Sequence, residues 1–430
     1  MTVSLAGFAL VFVFLFLRVP IGFGMLLVGA GGFAYLTDWG PARAMMGQIA
    51  YETPLSYGLI VLPLFILMGN FITASKLSND LYRAAYALLG HRRGGLALAT
   101  LAACAGFSAI CGSSLATTAT MSKVAMPSMR KFKYADSLAT GSVVAGGTLG
   151  ILIPPSIVLI LYGIMTNNDI GKLFVAGILP GLLGLGFYML AVVVTTAVRP
   201  ELGPPGPRMP WKERWGALAN VWGVVLLFVI VIGGIYVGAF TPTEAAGIGA
   251  GGAFVFALAR RNMSFGRFVQ VLQETARMTA SIFTILIGAL VFSNFINVAG
   301  LPQALIAGVE ALGTSPMMII VVIIGLYILL GCILESMSML LLTVPIFYPV
   351  VIGAGFDPIW FGVLIVVVIE ISLITPPIGM NVFVLKSTLQ DVPTSTIFRG
   401  VAPFILADTL RLAVLISFPS ITLFLPSFMK

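Results

Sequence analysis

The chain has 430 residues, of which 59% are apolar and only 9% charged, and its mean hydropathy is +1.09. A soluble domain carries about 25% charged residues, so this composition cannot clothe a water-soluble globule, and the chain must be read as membrane spans. Three cysteines in apolar surroundings and a single histidine, His91, exclude a disulfide framework and a thiolate or imidazole metal site. The formal charge of +8 reads as an orientation signal for cytoplasmic loops and not as a nucleic-acid footprint.

In chain order, apolar stretches long enough to span lie at 3–18, 20–37, 54–75, 138–166, 171–198, 216–238, 242–259, 278–298, 359–385 and 400–427. The first runs through Arg18 and Pro20 into the second, which reads as an uncleaved span and not a signal peptide. Two further apolar regions, 94–130 and 314–355, each have room for two short helices and a turn. They read as re-entrant hairpins, a backbone path tolerated only where it lines a protein-buried or watery cavity. An ordinary pair of close spans is the alternative.

The chain also matches itself. Pro154-Pro155 falls on Pro376-Pro377, Asp169 on Asp391, Pro127 on Pro349 and Pro20 on Pro242, all at an offset of 222, with Asn70 on Asn294 at 224. A nearly constant offset from end to end indicates duplication. The units are residues 1–198 and 216–430, joined by a Pro-rich, charged linker at 199–215. Each holds about five spans and one hairpin, and an odd span count inverts the second unit. With the linker cytoplasmic, 18 of the 23 basic residues fall on the cytoplasmic side, and both termini come out periplasmic. The fold class expected is therefore all-α and membrane-integral, built of two inverted-topology repeats.

Inverted repeats with broken helices place a transport site near the bilayer midplane. Each broken helix, at 138–166 and 359–385, carries a proline pair, Pro154-Pro155 or Pro376-Pro377. Proline removes an amide donor and frees carbonyls from the helix ladder; freed carbonyls with nearby hydroxyls suit a small hard cation. The alternative is a kink that only shapes packing. Around the first break stand Gly146, Gly147, Thr148 and Gly150, and the first hairpin tip offers Ser113, Ser114 and Thr117. The second tip holds Glu335, Ser336 and Ser338. Glu335 and Glu370 are charges at membrane depth, able to neutralise a cation or pair structurally. Glu244 reads as the third residue of a helix-start box begun by Thr241, and Asp408 and Arg411, three apart on one helix, as a scaffold pair. No nucleophile–base pair or metal constellation supports an intramembrane enzyme.

The segments GFSAICGSSLATTATMSKVAMPSM at 106–129, GTLGILIPPSIVLILYG at 147–163, TPTEAAG at 241–247 and LITPPIGMNVFVL at 373–385 resemble the large membrane subunit of tripartite ATP-independent periplasmic (TRAP) transporters, of the DctM or SiaM type. The resemblance implies a permease of the bacterial inner membrane that imports organic acids such as C4-dicarboxylates or sialic acid, with Na+ as the coupling ion, no other metal and no cofactor. It implies an elevator mechanism, a periplasmic DctP-type binding protein and a small DctQ-type membrane subunit, here on a separate chain. By motif, Ser113, Ser114, Thr117 and Gly146–Gly150 would form one sodium site; Ser336, Thr375, Gly379 and Asn381 would contribute to a second. Ser113, Glu335, Ser338 and Glu370 are the candidates near substrate. The second tip departs from the commoner Asp-containing one. A stand-alone ion-coupled carboxylate transporter or antiporter of similar architecture is the competing reading.

Overall fold

The computed structural model describes residues 2–75, 77–313 and 315–429, and every regular element among them is a helix. The first half runs α1 Thr2–Phe16, α2 Ile21–Leu36, α3 Trp39–Leu55, α4 Val61–Ala74, α5 Leu77–Leu89, α6 Gly95–Cys111, α7 Ser114–Lys131, α8 Asp136–Thr148, α9 Ile157–Thr166 and α10 Ile170–Val198. The last part of the expected linker is helical: α11 Trp211–Ala219 bends by 46° into α12 Trp222–Tyr236. The second half continues as α13 Pro242–Ala259, α14 Phe265–Val298, α15 Leu301–Leu312, α16 Pro316–Leu330, α17 Ser336–Gly353, α18 Pro358–Ser372, α19 Met380–Thr388, α20 Thr394–Ser417 and α21 Ser420–Leu423. The starts of α6 to α10 recur at α16 to α20, 221 to 224 positions later.

Five helices among the described residues are long and apolar enough to cross a bilayer, or six with the bent α11–α12 pair. The chain is thus a multi-pass membrane protein. Several of the ten expected spans are instead shorter apolar helices, α1, α2, α9 and α18 among them. The stretches at 138–166 and 359–385 each divide into two helices, α8 with α9 and α18 with α19. The last span begins earlier than expected, at Thr394, and stops at Ser417, because Pro419 cannot continue the amide ladder. Between expected spans the structure adds α3, α5 and α15. The span expected at 278–298 is the second part of the 34-residue α14. Its first-half counterpart is interrupted after Pro54, where α3 gives way to a short 3-10 turn before α4.

Small residues let these helices approach closely, as association within a bilayer requires. The backbone of Gly22 on α2 lies so near Gly288 on α14 that a side chain at Gly288 would overlap it. Gly141 on α8 and Gly400 on α20 cross in the same way. The buried apolar residues form two clusters. The larger joins α4, α9, α13, α14, α17 and α18. The smaller joins α6, α7 and α8 to α19 and α20, so the first hairpin shares its core with the second half. The exchange runs both ways: α7 packs on α19, and α17 packs on α9.

Candidate functional site

Helix α6 ends at Gly112, whose φ of +61° is the left-handed conformation glycine adopts without a Cβ penalty. The chain reverses there, and Ser113 caps α7 by accepting a hydrogen bond from the Ala116 amide at 3.4 Å. Facing this tip, α8 tightens into a 3-10 turn over Leu149–Ile151 and then unwinds. The Pro154–Pro155 peptide in the gap is cis. Ser156 restarts the helix, its Oγ donating to the Ile151 carbonyl and accepting from the Leu159 amide at 3.2 Å.

Tip and break touch. A Cβ on Gly112 would lie 3.4 Å from the Pro155 carbonyl oxygen, and one on Gly150 would lie 2.8 Å from Ser108 Oγ. A side chain at Gly147 would overlap Thr118, and one at Gly146 would reach Cys104 Sγ at 2.7 Å. These glycines therefore permit close contact between broken helix and hairpin.

The hydroxyls in this contact stand out by what they do not do. Thr100, Thr140, Ser142 and Thr148 each donate to a carbonyl one turn back, at 2.6–2.8 Å. Ser108, Thr117 and Thr118, all fully buried, have no hydrogen-bond partner among the described residues. A buried hydroxyl without a partner is costly. Ser108 lies against Gly150 and Thr118 against Gly147, Thr117 is on the same hairpin, and one more buried oxygen, Asn381 Oδ1, is likewise unpartnered.

The second break parallels the first. Pro376–Pro377 is cis, and Gly379, at φ +59°, precedes α19. Thr375 Oγ1 donates to the Ile371 carbonyl at 2.6 Å. The side chain of Ser372 fills the space beside Gly331 at the end of α16. Glu335 occupies the position equivalent to Ser113: it caps α17, its Oε1 accepting from the Ser338 amide at 2.8 Å and from Ser338 Oγ at 3.0 Å. Ser336 is buried beside it. Ser336 shares no hydrogen bond with Thr375, Gly379 or Asn381 among the described residues. Asn381 instead extends its amide across to the Val144 carbonyl of α8 at 3.5 Å, which links it to the first broken helix.

Thr148, from the expected first ion site, and Glu370, expected near substrate, both also touch a buried polar cluster. Thr148 Oγ1 meets Tyr188 Oη on α10 at 3.1 Å. Tyr188 donates to Asp408, and Arg411 forms ion pairs with Asp408, at 2.9 Å, and with Glu370. Tyr188, Glu370, Asp408 and Arg411 are all fully buried, and Gly184 on α10 leaves room for the guanidinium. The expected Asp408–Arg411 pair is present within this larger cluster. The helix-start box also forms, with Glu244 accepting from the Thr241 amide at 2.8 Å and Thr241 Oγ1 accepting from the Glu244 amide at 3.3 Å. Sequence reasoning missed Ser108, Thr118 and Tyr188. Ser108 and Thr118 lie inside the motif at 106–129, and a lone tyrosine inside an apolar 29-residue helix is the signal that pointed to the cluster.

The family model described as "Tripartite ATP-independent periplasmic transporter, DctM component" matches residues 8–421. The chain belongs to this family. Relatives of this DctM-family chain include the C4-dicarboxylate TRAP transporter large permease of Pseudomonas aeruginosa, 38% identical and covering 88% of each chain. The sialic acid TRAP transporter large permease of Vibrio cholerae is 32% identical over 96% of each. The isethionate TRAP transporter permease DctMQ of Oleidesulfovibrio alaskensis is 32% identical over 96% of this chain and 64% of its own. These relatives are transporter permeases, not enzymes, and their substrates differ. In fold, the DctM-family chain is similar to the Alcanivorax borkumensis YdaH transporter, with a TM-score of 0.63 at 15% identity over 98% of this chain and 99% of that one.

Proposed function

We propose that this chain is the large permease subunit of a sodium-coupled, binding-protein-dependent importer of organic acids in a bacterial inner membrane. The observation that carries the reading is the group of buried, unpartnered hydroxyls of Ser108, Thr117 and Thr118 where the first hairpin tip meets the α8 break. A small cation prefers oxygen ligands, and Ser108 and Thr118 stand against Gly150 and Gly147 at the break. In this reading Ser113, Ser114, Thr117 and Gly146–Gly150 hold one sodium ion, joined by Ser108 and Thr118. Ser336, Thr375 and Gly379 serve a second, with Asn381 between the two.

The two halves, 1–198 and 216–430, act as inverted repeats around the cytoplasmic linker 199–215, and both termini lie in the periplasm. The matching order of α6–α10 and α16–α20 supports this arrangement. Hairpins and broken helices move as an elevator against the remaining helices. The tripartite family supports two partners: a small membrane subunit, here on a separate chain, and a periplasmic binding protein that delivers the acid.

The test is uptake in proteoliposomes holding this chain and its small subunit, with binding protein and a panel of C4-dicarboxylates, sialic acid and other organic acids. Uptake that needs both the binding protein and an inward sodium gradient is expected. Uptake indifferent to removal of both sinks the reading in favour of a stand-alone carrier.

A further inference from the structure

The linker and the α5–α6 turn fold together at one edge of the molecule. Gly206 donates to the Gly90 carbonyl at 2.9 Å and Gly94 to the Gly203 carbonyl at 2.8 Å, and α11 packs on α5. This brings Arg208 and Arg214 to His91 and Arg92. Arg214 is only 6% exposed. Its guanidinium sits 5.1 Å from the Trp211 ring centre, yet its Nε and Nη2 are closed off from solvent without a partner, as is His91 Nδ1. No ion pair engages Arg92, Arg208 or Arg214 among the described residues. The nearest acid in sequence, Glu213, is exposed.

A buried cation without a counter-charge is strongly unfavourable, and here further cations surround it. Desolvation and then the charges of Arg214, Arg208 and Arg92 hold His91 below its ordinary pKa, the sign of a pocket short of negative charge. Beside it, Trp211 and Trp215 are 66% and 67% exposed on a nine-residue helix that bends into the apolar α12. Exposed tryptophans next to a span mark the membrane–water interface.

We propose that Arg214, Arg208 and His91 form a binding site for a phosphate group, supplied by the headgroup of an anionic phospholipid whose chains lie along α11 and α12. The unpartnered donors of Arg214 and the unpartnered His91 Nδ1 lie in one charged neighbourhood with Arg208, and basic pockets at the interface are a known setting for such headgroups. The bound lipid would fasten the linker to the base of the first hairpin, because the same turn leads into α6. This inference does not depend on sodium coupling or on the cargo.

The test is thermal unfolding of the full chain in nanodiscs of phosphatidylcholine with increasing phosphatidylglycerol, alongside native mass spectrometry of retained lipids. Phosphatidylglycerol is expected to raise the unfolding temperature. Arg214→Gln and Arg208→Gln are each expected to weaken that response about fivefold. Arg208 is exposed, so its variant keeps the test open where Arg214→Gln fails to fold. An equal response of Arg208→Gln and the parent chain overturns the site. The same stabilisation by inorganic phosphate in pure phosphatidylcholine overturns the lipid assignment.

Discussion

Arg411 on α20 pairs with Glu370 on α18 where both side chains are fully closed to solvent. Their counterparts in the first half, Tyr188 on α10 and Thr148 on α8, also touch, at 3.1 Å. Asp408 joins the two contacts by accepting a hydrogen bond from Tyr188 and forming an ion pair with Arg411 at 2.9 Å. One polar chain thus links four helices, two from each half. Arg411 Nε and Nη1 and Glu370 Oε1 have no partner among the described residues, so the cluster has little tolerance for losing a bond.

Removing one side of a buried ion pair leaves the other charge uncompensated and costs about 3–5 kcal/mol. Arg411→Met is therefore expected to lower the unfolding temperature sharply in detergent. Combining it with Glu370→Gln should recover part of the loss, because one of the two orphaned carboxylates, Glu370 and Asp408, is gone. Equal stability of the single and double variants in thermal unfolding would show that the charge is not what matters.

The crossing of α8 and α20 leaves no space for a methyl group. A Cβ on Gly400 would overlap the backbone of Ser137, and one on Gly141 that of Gly400. Gly400→Ala is expected to destabilise by about 1–3 kcal/mol, the cost of forcing packed backbones apart. A detergent unfolding curve indistinguishable from that of the parent chain would place the two helices farther apart than described.

Much of this was legible in the sequence because it rests on local rules. Proline pairs at a constant offset marked the two breaks, and the Thr241–Glu244 spacing marked a helix start. The Glu370–Arg411 contact was not legible: the residues are 41 positions apart, and each had a plausible role nearer by in sequence. Nor did sequence separate Thr148 from Thr117. One stands beside the break and the other at the hairpin tip facing it, but Thr148 meets Tyr188 and Thr117 finds no partner among the described residues, a difference made only by packing. The helices α3, α5 and α15 escaped a reading based on long apolar runs because they carry polar residues between the spans.

The link between the first hairpin and the second half has an acid-sensitive element. Arg130, in the last turn of α7, bonds Asp391 in the α19–α20 turn at 2.7 Å and Asp136 at 3.2 Å. The hydrogen bond from Arg130 holds Asp391 below its ordinary pKa. A depressed folded-state pKa gives stability that is present above the unfolded value, near about 3.9, and is lost as pH falls through the folded value. Asp391→Asn should therefore flatten a small part of the acid limb of a stability–pH curve and leave neutral pH nearly unchanged, since both groups are partly exposed. An acid limb unaltered by the substitution would remove Asp391 from the linkage.

The unpartnered hydroxyls give a prediction whose sign separates ion binding from packing. A buried hydroxyl that bonds nothing contributes only its desolvation cost, so replacing it by a methyl group is neutral or stabilising. Thr117→Val and Thr118→Val keep the side-chain shape and remove only the oxygen's bonding capacity. Were these groups structural, sodium-free stability would fall or the sodium response of transport would stay as it is. As sodium ligands, they should leave sodium-free stability unchanged or raised, while the sodium concentration for half-maximal uptake rises about tenfold, the effect of about 1.4 kcal/mol of lost ion affinity. Sodium should also stabilise the parent chain against unfolding more than either variant, since a ligand that binds only the folded state stabilises in proportion to its affinity. Variants that lose stability without sodium, or that keep the parent's sodium response, would assign these oxygens to packing and move the coupling site elsewhere.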